Sequence, residues 1–126
     1  MGRQRVLIVD DDLDMAEVLA AMFEWLGHEA RIALRRDDAI RILQDFTPQL
    51  VVLDLQLGAS SGLDVAREIC AVATRRPCLI AASGWNRPTD IARAREAGFD
   101  DYVVKPIHLE NVRAMVRLAT AHGERP

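Results

Sequence analysis

The run Val6-Leu7-Ile8-Val9-Asp10-Asp11-Asp12 sets an unbroken apolar segment directly against three carboxylates, and it decides how the rest of the chain is read. Consecutive aliphatic residues with no polar alternation suit a strand covered on both faces. Two more runs share that character: Leu50-Val51-Val52-Leu53 before Asp54, and Cys78-Leu79-Ile80-Ala81-Ala82 before Ser83. Strands are therefore expected at about 5–10, 29–33, 50–54, 78–82 and 101–104. The second, Glu29-Ala30-Arg31-Ile32-Ala33, alternates and reads as an edge.

Helical spacing fills the intervals. The first helix presents Leu19, Met22, Phe23 and Leu26 and stops at Gly27, and the second presents Ala39, Leu43 and Phe46 before Pro48. The third begins near Ser61-Gly62 and carries Val65, Ala66, Ile69 and Val72. The fourth runs from Pro88 toward Gly98 with Ile91 as its only large apolar residue, so it is expected to be the most weakly anchored. The fifth carries Leu109, Val112, Met115, Val116 and Ala119. Five strand-then-helix units predict an α/β fold, doubly wound around one parallel sheet.

A chain of 126 residues, 50% apolar, suits one domain over 1–126, with its core at about 5–121 and a frayed tail at 122–126. No apolar run approaches the roughly 20 residues that span a bilayer. The N-terminus enters a strand at once, leaving no room for a signal peptide, so a cytoplasmic protein without membrane insertion is expected. Net charge −3 and a pI near 5.6 argue against direct nucleic-acid binding. Cys70 and Cys78 have no companion at metal-ligand spacing and read as reduced core residues. Lys105 is the only lysine among 16 basic residues, a compact point charge where arginine is otherwise used.

Sites in open α/β sheets form outside the carboxyl ends of the strands. Asp10-Asp11-Asp12, Asp54, Ser83-Gly84 and Lys105-Pro106 all fall there. One aspartate could cap the first helix, but three in a row exceed that need. With Asp54 they would repel one another unless a hard cation such as Mg²⁺ is bound.

These segments, together with Ala97-Gly98-Phe99-Asp100-Asp101-Tyr102-Val103-Val104-Lys105-Pro106, resemble the signature blocks of response-regulator receiver domains in order and spacing. Asp10, Asp54, Ser83 and Lys105 follow one another at intervals of 44, 29 and 22 residues. The resemblance implies a flavodoxin-like five-stranded sheet of order 2-1-3-4-5 with five helices. It further implies that Asp54 accepts a phosphoryl group from a histidine kinase or histidine phosphotransfer protein of a two-component system or phosphorelay. Mg²⁺, or Mn²⁺, would be bound directly by Asp11 and Asp54, through water by Asp10, and by the backbone carbonyl of Gln56. Ser83 and Lys105 would bind the phosphoryl oxygens. Tyr102 would then turn inward and alter the surface of helix 4, strand 5 and helix 5, through which a homodimer is also implied. Gly62 and Pro106 would be structural, and Asp12 free to cap. Such a domain is a switch, not a turnover enzyme.

Departures from the family pattern are Leu57-Gly58 in place of Met-Pro, which suggests a looser loop, and Ser83 in place of the commoner threonine. Gln56 and Trp85 flank the path of the attacking water in family members. Segments around Ser83-Gly84-Trp85 also resemble receivers attached to hybrid histidine kinases. A haloacid-dehalogenase-type phosphatase is the other reading, from Asp10-x-Asp12. Against it stand Leu13 after the pair, the short chain, and no acidic pair following a late strand at the site end.

Overall fold

The computed structural model describes residues 2–58 and 60–124. Its first half runs β1 (Arg5–Val9), α1 (Leu13–Trp25), β2 (Glu29–Ala33), α2 (Arg36–Phe46) and β3 (Leu50–Asp54). A small hairpin, β4 (Gln56–Leu57) and β5 (Ser60–Ser61), precedes α3 (Gly62–Val72). The chain continues through β6 (Cys78–Ser83), α4 (Pro88–Glu96), β7 (Asp101–Val104) and α5 (Leu109–Gly123). The main sheet is parallel throughout, in the order β2-β1-β3-β6-β7. With the hairpin set aside, this is the 2-1-3-4-5 order expected of a flavodoxin-like fold.

Alternate residues of each central strand serve opposite faces, as the pleat requires. Leu7, Val9, Val51, Leu53, Leu79 and Ala81 pack with α2 and α3 through Leu43, Val65 and Ile69. Val6, Ile8, Leu50, Val52 and Ile80 pack with α1 and α5 through Leu19, Phe23, Val112 and Val116. A fully buried aliphatic or aromatic side chain contributes roughly 1.5–3 kcal/mol. By that measure α4 is poorly held, because Ala94 is its only buried residue and Ile91 is half-buried.

Several boundaries differ from expectation. β1 stops at Val9, although the Asp10 N–H still bonds Ala33 O at 3.1 Å, and β6 runs on to Ser83. Val72, expected on the buried stripe of α3, is 41% exposed. At the C-terminal end α5 continues through Gly123, and the His122 ring bonds Arg76 O at 3.0 Å. Arg125 and Pro126 lie outside the described residues. The β4–β5 hairpin had no periodic signal, being two residues a side. It forms because Leu57 is buried while Gly58 adopts φ +55°, and this gives the loop a ladder rather than slack.

The rim opposite the strand carboxyl ends is tied by side chains. The Arg5 guanidinium donates to Phe46 O and Thr47 O, satisfying carbonyls left open where α2 ends. The Gln4 N–H donates to His28 Nδ1 at 3.0 Å, which requires that nitrogen to be unprotonated. Burial, then the charge of Arg3, lowers the His28 pKa from its ordinary 6.5. In a pH window just below 6.5 the unfolded chain binds the proton and the folded one does not, so stability is full above that window and falls as pH drops. Thermal unfolding of wild type and His28→Asn, at about pH 7.5 and about pH 5.5, should show a smaller acid loss in the variant. Equal losses would remove His28 from the account.

Candidate functional site

Strand order reverses between β1 and β3, and the side chains singled out in the sequence collect at the carboxyl ends there. Asp10 and Asp11 follow β1, Asp54 ends β3, Ser83 ends β6, and Lys105 follows β7. Carboxylate oxygens of Asp10, Asp11 and Asp54 lie within 4.8 Å of one another. Asp10 and Asp54 are buried, and Asp11 is exposed at the mouth.

Each buried carboxylate has fixed partners. Asp10 Oδ1 accepts the Asp12 N–H at 2.9 Å, and Asp10 Oδ2 accepts from Lys105 Nζ at 3.1 Å. Asp54 Oδ1 accepts the Gln56 N–H at 3.1 Å, and Oδ2 lies 3.5 Å from Lys105 Nζ. Lys105 is itself held on β6, because its N–H donates to Ser83 O at 2.7 Å, and the peptide joining it to Pro106 is cis.

One ammonium does not balance this cluster. Burial pushes the Asp54 carboxyl above its usual range and Asp10 adds to the shift, while the Gln56 N–H and the Lys105 charge oppose it incompletely. Burial alone would lower Lys105, but Asp10 first and then Asp54 hold its pKa above the ordinary value. The site is thus a lysine locked in its charged form beside a carboxylate still short of positive charge. An oxygen-only donor set of this kind fits a hard divalent cation.

Asp12 is apart from the cluster and accepts the Met15 N–H at 3.2 Å as the N-cap of α1. Gly62 has no room for a side chain: a Cβ there would stand 2.6 Å from Leu55 Cα and closer still to Asp54 O. The start of α3 is thereby pressed against the backbone that presents Asp54.

Ser83, 3% exposed, accepts the Trp85 N–H on Oγ at 3.1 Å, and the Tyr102 hydroxyl donates to Trp85 O at 2.7 Å. The tyrosine is already turned over the β6–α4 loop. Sequence reasoning missed this link, and it could not have seen it: any residue at 85 offers a carbonyl. It read Gly58 only as part of a looser loop, whereas a Cβ there would come 3.5 Å from Asp11 Oδ2, which sets Gly58 beside the cluster.

The family described as "Response regulator receiver domain" matches residues 6–117, and the chain belongs to that family. It is similar to the DNA-binding response regulator MtrA of Mycolicibacterium smegmatis, 32% identical over 122 residues, covering 97% of this chain and 53% of that protein. It is also similar to the transcriptional regulatory protein AfsQ1 of Streptomyces coelicolor, 31% identical over 120 residues, covering 95% of this chain and 52% of that protein. The chain thus spans about half the length of the curated relatives it matches. Among solved structures, a two-component response regulator from Clostridium difficile aligns with TM-score 0.89 at 25% identity, covering 98% of this chain and 100% of that one. Among the described residues, no helix is long and apolar enough to cross a membrane.

Proposed function

We propose that residues 1–126 form one phosphoacceptor unit in which Asp54 is the nucleophile. The observation that carries this reading is the meeting of three carboxylates within 4.8 Å, with Lys105 Nζ 3.1 Å from Asp10 and 3.5 Å from Asp54. In the transfer, the P–N bond of a phosphohistidine breaks with its electron pair staying on the imidazole, and an O–P bond forms on Asp54. The protein's share of such chemistry is positioning and charge neutralisation. Asp11 and Asp54 directly, Asp10 through water, and the Gln56 carbonyl would hold Mg²⁺ or Mn²⁺, which supplies positive charge to the transferring oxygens when bound.

Lys105 then takes a phosphoryl oxygen, and Ser83 turns its hydroxyl proton toward another. Because Ser83 Oγ and the Tyr102 hydroxyl hold the backbone on either side of Trp85 Cα, movement at Ser83 reaches the α4–β7–α5 surface, where an output partner or a second copy docks. Pro106 fixes the turn from Lys105 into α5. The unit acts as a switch in the cytoplasm rather than as a turnover catalyst. Its donor, a histidine kinase or histidine phosphotransfer protein, approaches over α1. Leu13, Met15, Val18 and Trp25 are exposed there, and the only charged residues of the helix are Asp14, Glu17 and Glu24.

The half-length match to DNA-binding regulators favours a second arrangement for output, in which the same unit controls a nucleic-acid-binding portion of a longer chain rather than touching nucleic acid itself. In either arrangement, incubation with Mg²⁺ and acetyl phosphate should add one acid-stable, base-labile phosphoryl group. Peptide mass mapping should place it on Asp54. A label on another residue, or none, would sink the proposal.

A further inference from the structure

We propose that Arg87 is a positioning residue that locks the β6–α4 loop to the first turn of α4, so that displacement at Ser83 is delivered to the helix. The inference rests on the phosphoacceptor reading above. Both polar main-chain groups of Trp85 are engaged, the N–H by Ser83 Oγ and the carbonyl by Tyr102. Trp85 as a residue is 53% exposed, and the Arg87 guanidinium carbon lies 5.4 Å from its ring centroid. The same guanidinium also reaches α4, since Arg87 Nε donates to Asp90 Oδ2 at 2.9 Å. Asp90 sits in the first turn of α4 with its side chain largely buried.

The lock answers a mechanical problem. Gly84, beside which a Cβ would meet nothing within 4 Å, and exposed Asn86 give the loop freedom to absorb a small displacement. Among the described residues no side chain caps the N-terminus of α4, and the N–H groups of Asp90 and Ile91 bond to Arg87 O, at 3.0 and 3.2 Å. Arg87 is therefore where loop and helix join, and its side chain brackets the joint from Trp85 to Asp90. Beyond it, α4 has somewhere to go: a groove of about 230 Å³ separates it from β7, lined by Ile91, Phe99, Tyr102 and Val104 among others.

The test uses the full chain with Mg²⁺ and beryllofluoride, which stands in for the bound phosphoryl group, and reads backbone amide shifts. In wild type, shifts are expected at 54–56, 83–85 and 105 and across 91–97. In Arg87→Ala the resting spectrum of 91–97 and the shifts at 54–56 and 105 should be retained, while the 91–97 response falls to less than about half, as expected for loss of a coupling contact. Trp85→Ala should reduce the same response, and the double variant should lose no more than the larger single loss, because ring and guanidinium act as one unit. An undiminished 91–97 response in Arg87→Ala, or losses that add in the double variant, would overturn the lock. No shift at 54 and 105 in wild type would overturn the phosphoacceptor reading instead.

Discussion

Replacing Asp54 by asparagine should abolish the base-labile phosphoryl label and, in metal-free buffer, raise the melting temperature. The first effect follows because a carboxamide is not the anionic nucleophile that forms an acyl phosphate. The second follows from the state of the carboxyl group. Burial, with Asp10 adding to it, holds the Asp54 pKa above its ordinary value of 3.8. An acid whose folded pKa lies above its unfolded one is ionised at a cost on folding; that cost is absent at low pH and fully present above the folded pKa. At neutral pH the wild type carries it, and asparagine does not, while the amide oxygen can still accept the Gln56 N–H. Lys105 keeps its bond to Asp10. Mg²⁺ should then stabilise wild type markedly and the variant little. Intact mass and thermal unfolding with and without Mg²⁺ check both halves. Equal labelling would remove Asp54 as acceptor, and a lower metal-free melting temperature would show that its charge is not a strain on the fold.

Gly62→Ala should be among the most damaging single-methyl additions available to the chain. Its Cβ would stand 2.6 Å from Leu55 Cα and nearer to Asp54 O, and both obstacles are backbone, which cannot swing aside. Overpacking of this kind costs about 3 kcal/mol, and the structure can relieve it only by lifting α3 off β3 or by moving Asp54. Either response should slow phosphorylation by acetyl phosphate as well as lower the urea midpoint. Gly58→Ala is the instructive contrast: there the φ of +55° is the obstacle and the space is open apart from Asp11 Oδ2 at 3.5 Å, so about 1 kcal/mol is expected. A Gly62→Ala protein as stable and as readily labelled as Gly58→Ala would refute the steric account.

The strands and the cluster at their ends were legible because both are set by local chemistry. A run such as Leu50-Val51-Val52-Leu53 has no surface it could tolerate, and a charged residue directly after it must stand at the strand end. Asp10, Asp11, Asp54 and Lys105 could therefore be brought together from residue type and position alone. The part of α4 held by Ala94 was also visible, as an absence of large side chains. What stayed hidden depends on backbone groups and on close approach. The Trp85 backbone joins Ser83 to Tyr102 through an N–H and a carbonyl that any residue but proline offers. Gly62 could be seen as a glycine at a helix entrance, but the proximity of Leu55 Cα that forbids a side chain is tertiary. The hairpin at 56–61 was too short for a period, and the continuation of α5 to Gly123 is supported by His122 reaching Arg76 O, a contact between residues 46 apart in sequence.

The division of β3 between two packing faces has a consequence for how this site can change over evolutionary time. Leu50 and Val52 belong to one side of the sheet, Val51 and Leu53 to the other. A single-residue insertion or deletion in that strand would exchange the two sets and turn four aliphatic side chains toward the wrong helices. It would also shift Asp54 out of register with Ala82 and away from the lysine on the neighbouring loop. An even step preserves the packing but carries Asp54 two residues, roughly 6–7 Å, along the strand axis. No length change in this strand satisfies both the core and the site, so the interval between Asp54 and the rest of the cluster is fixed by parity as well as by chemistry.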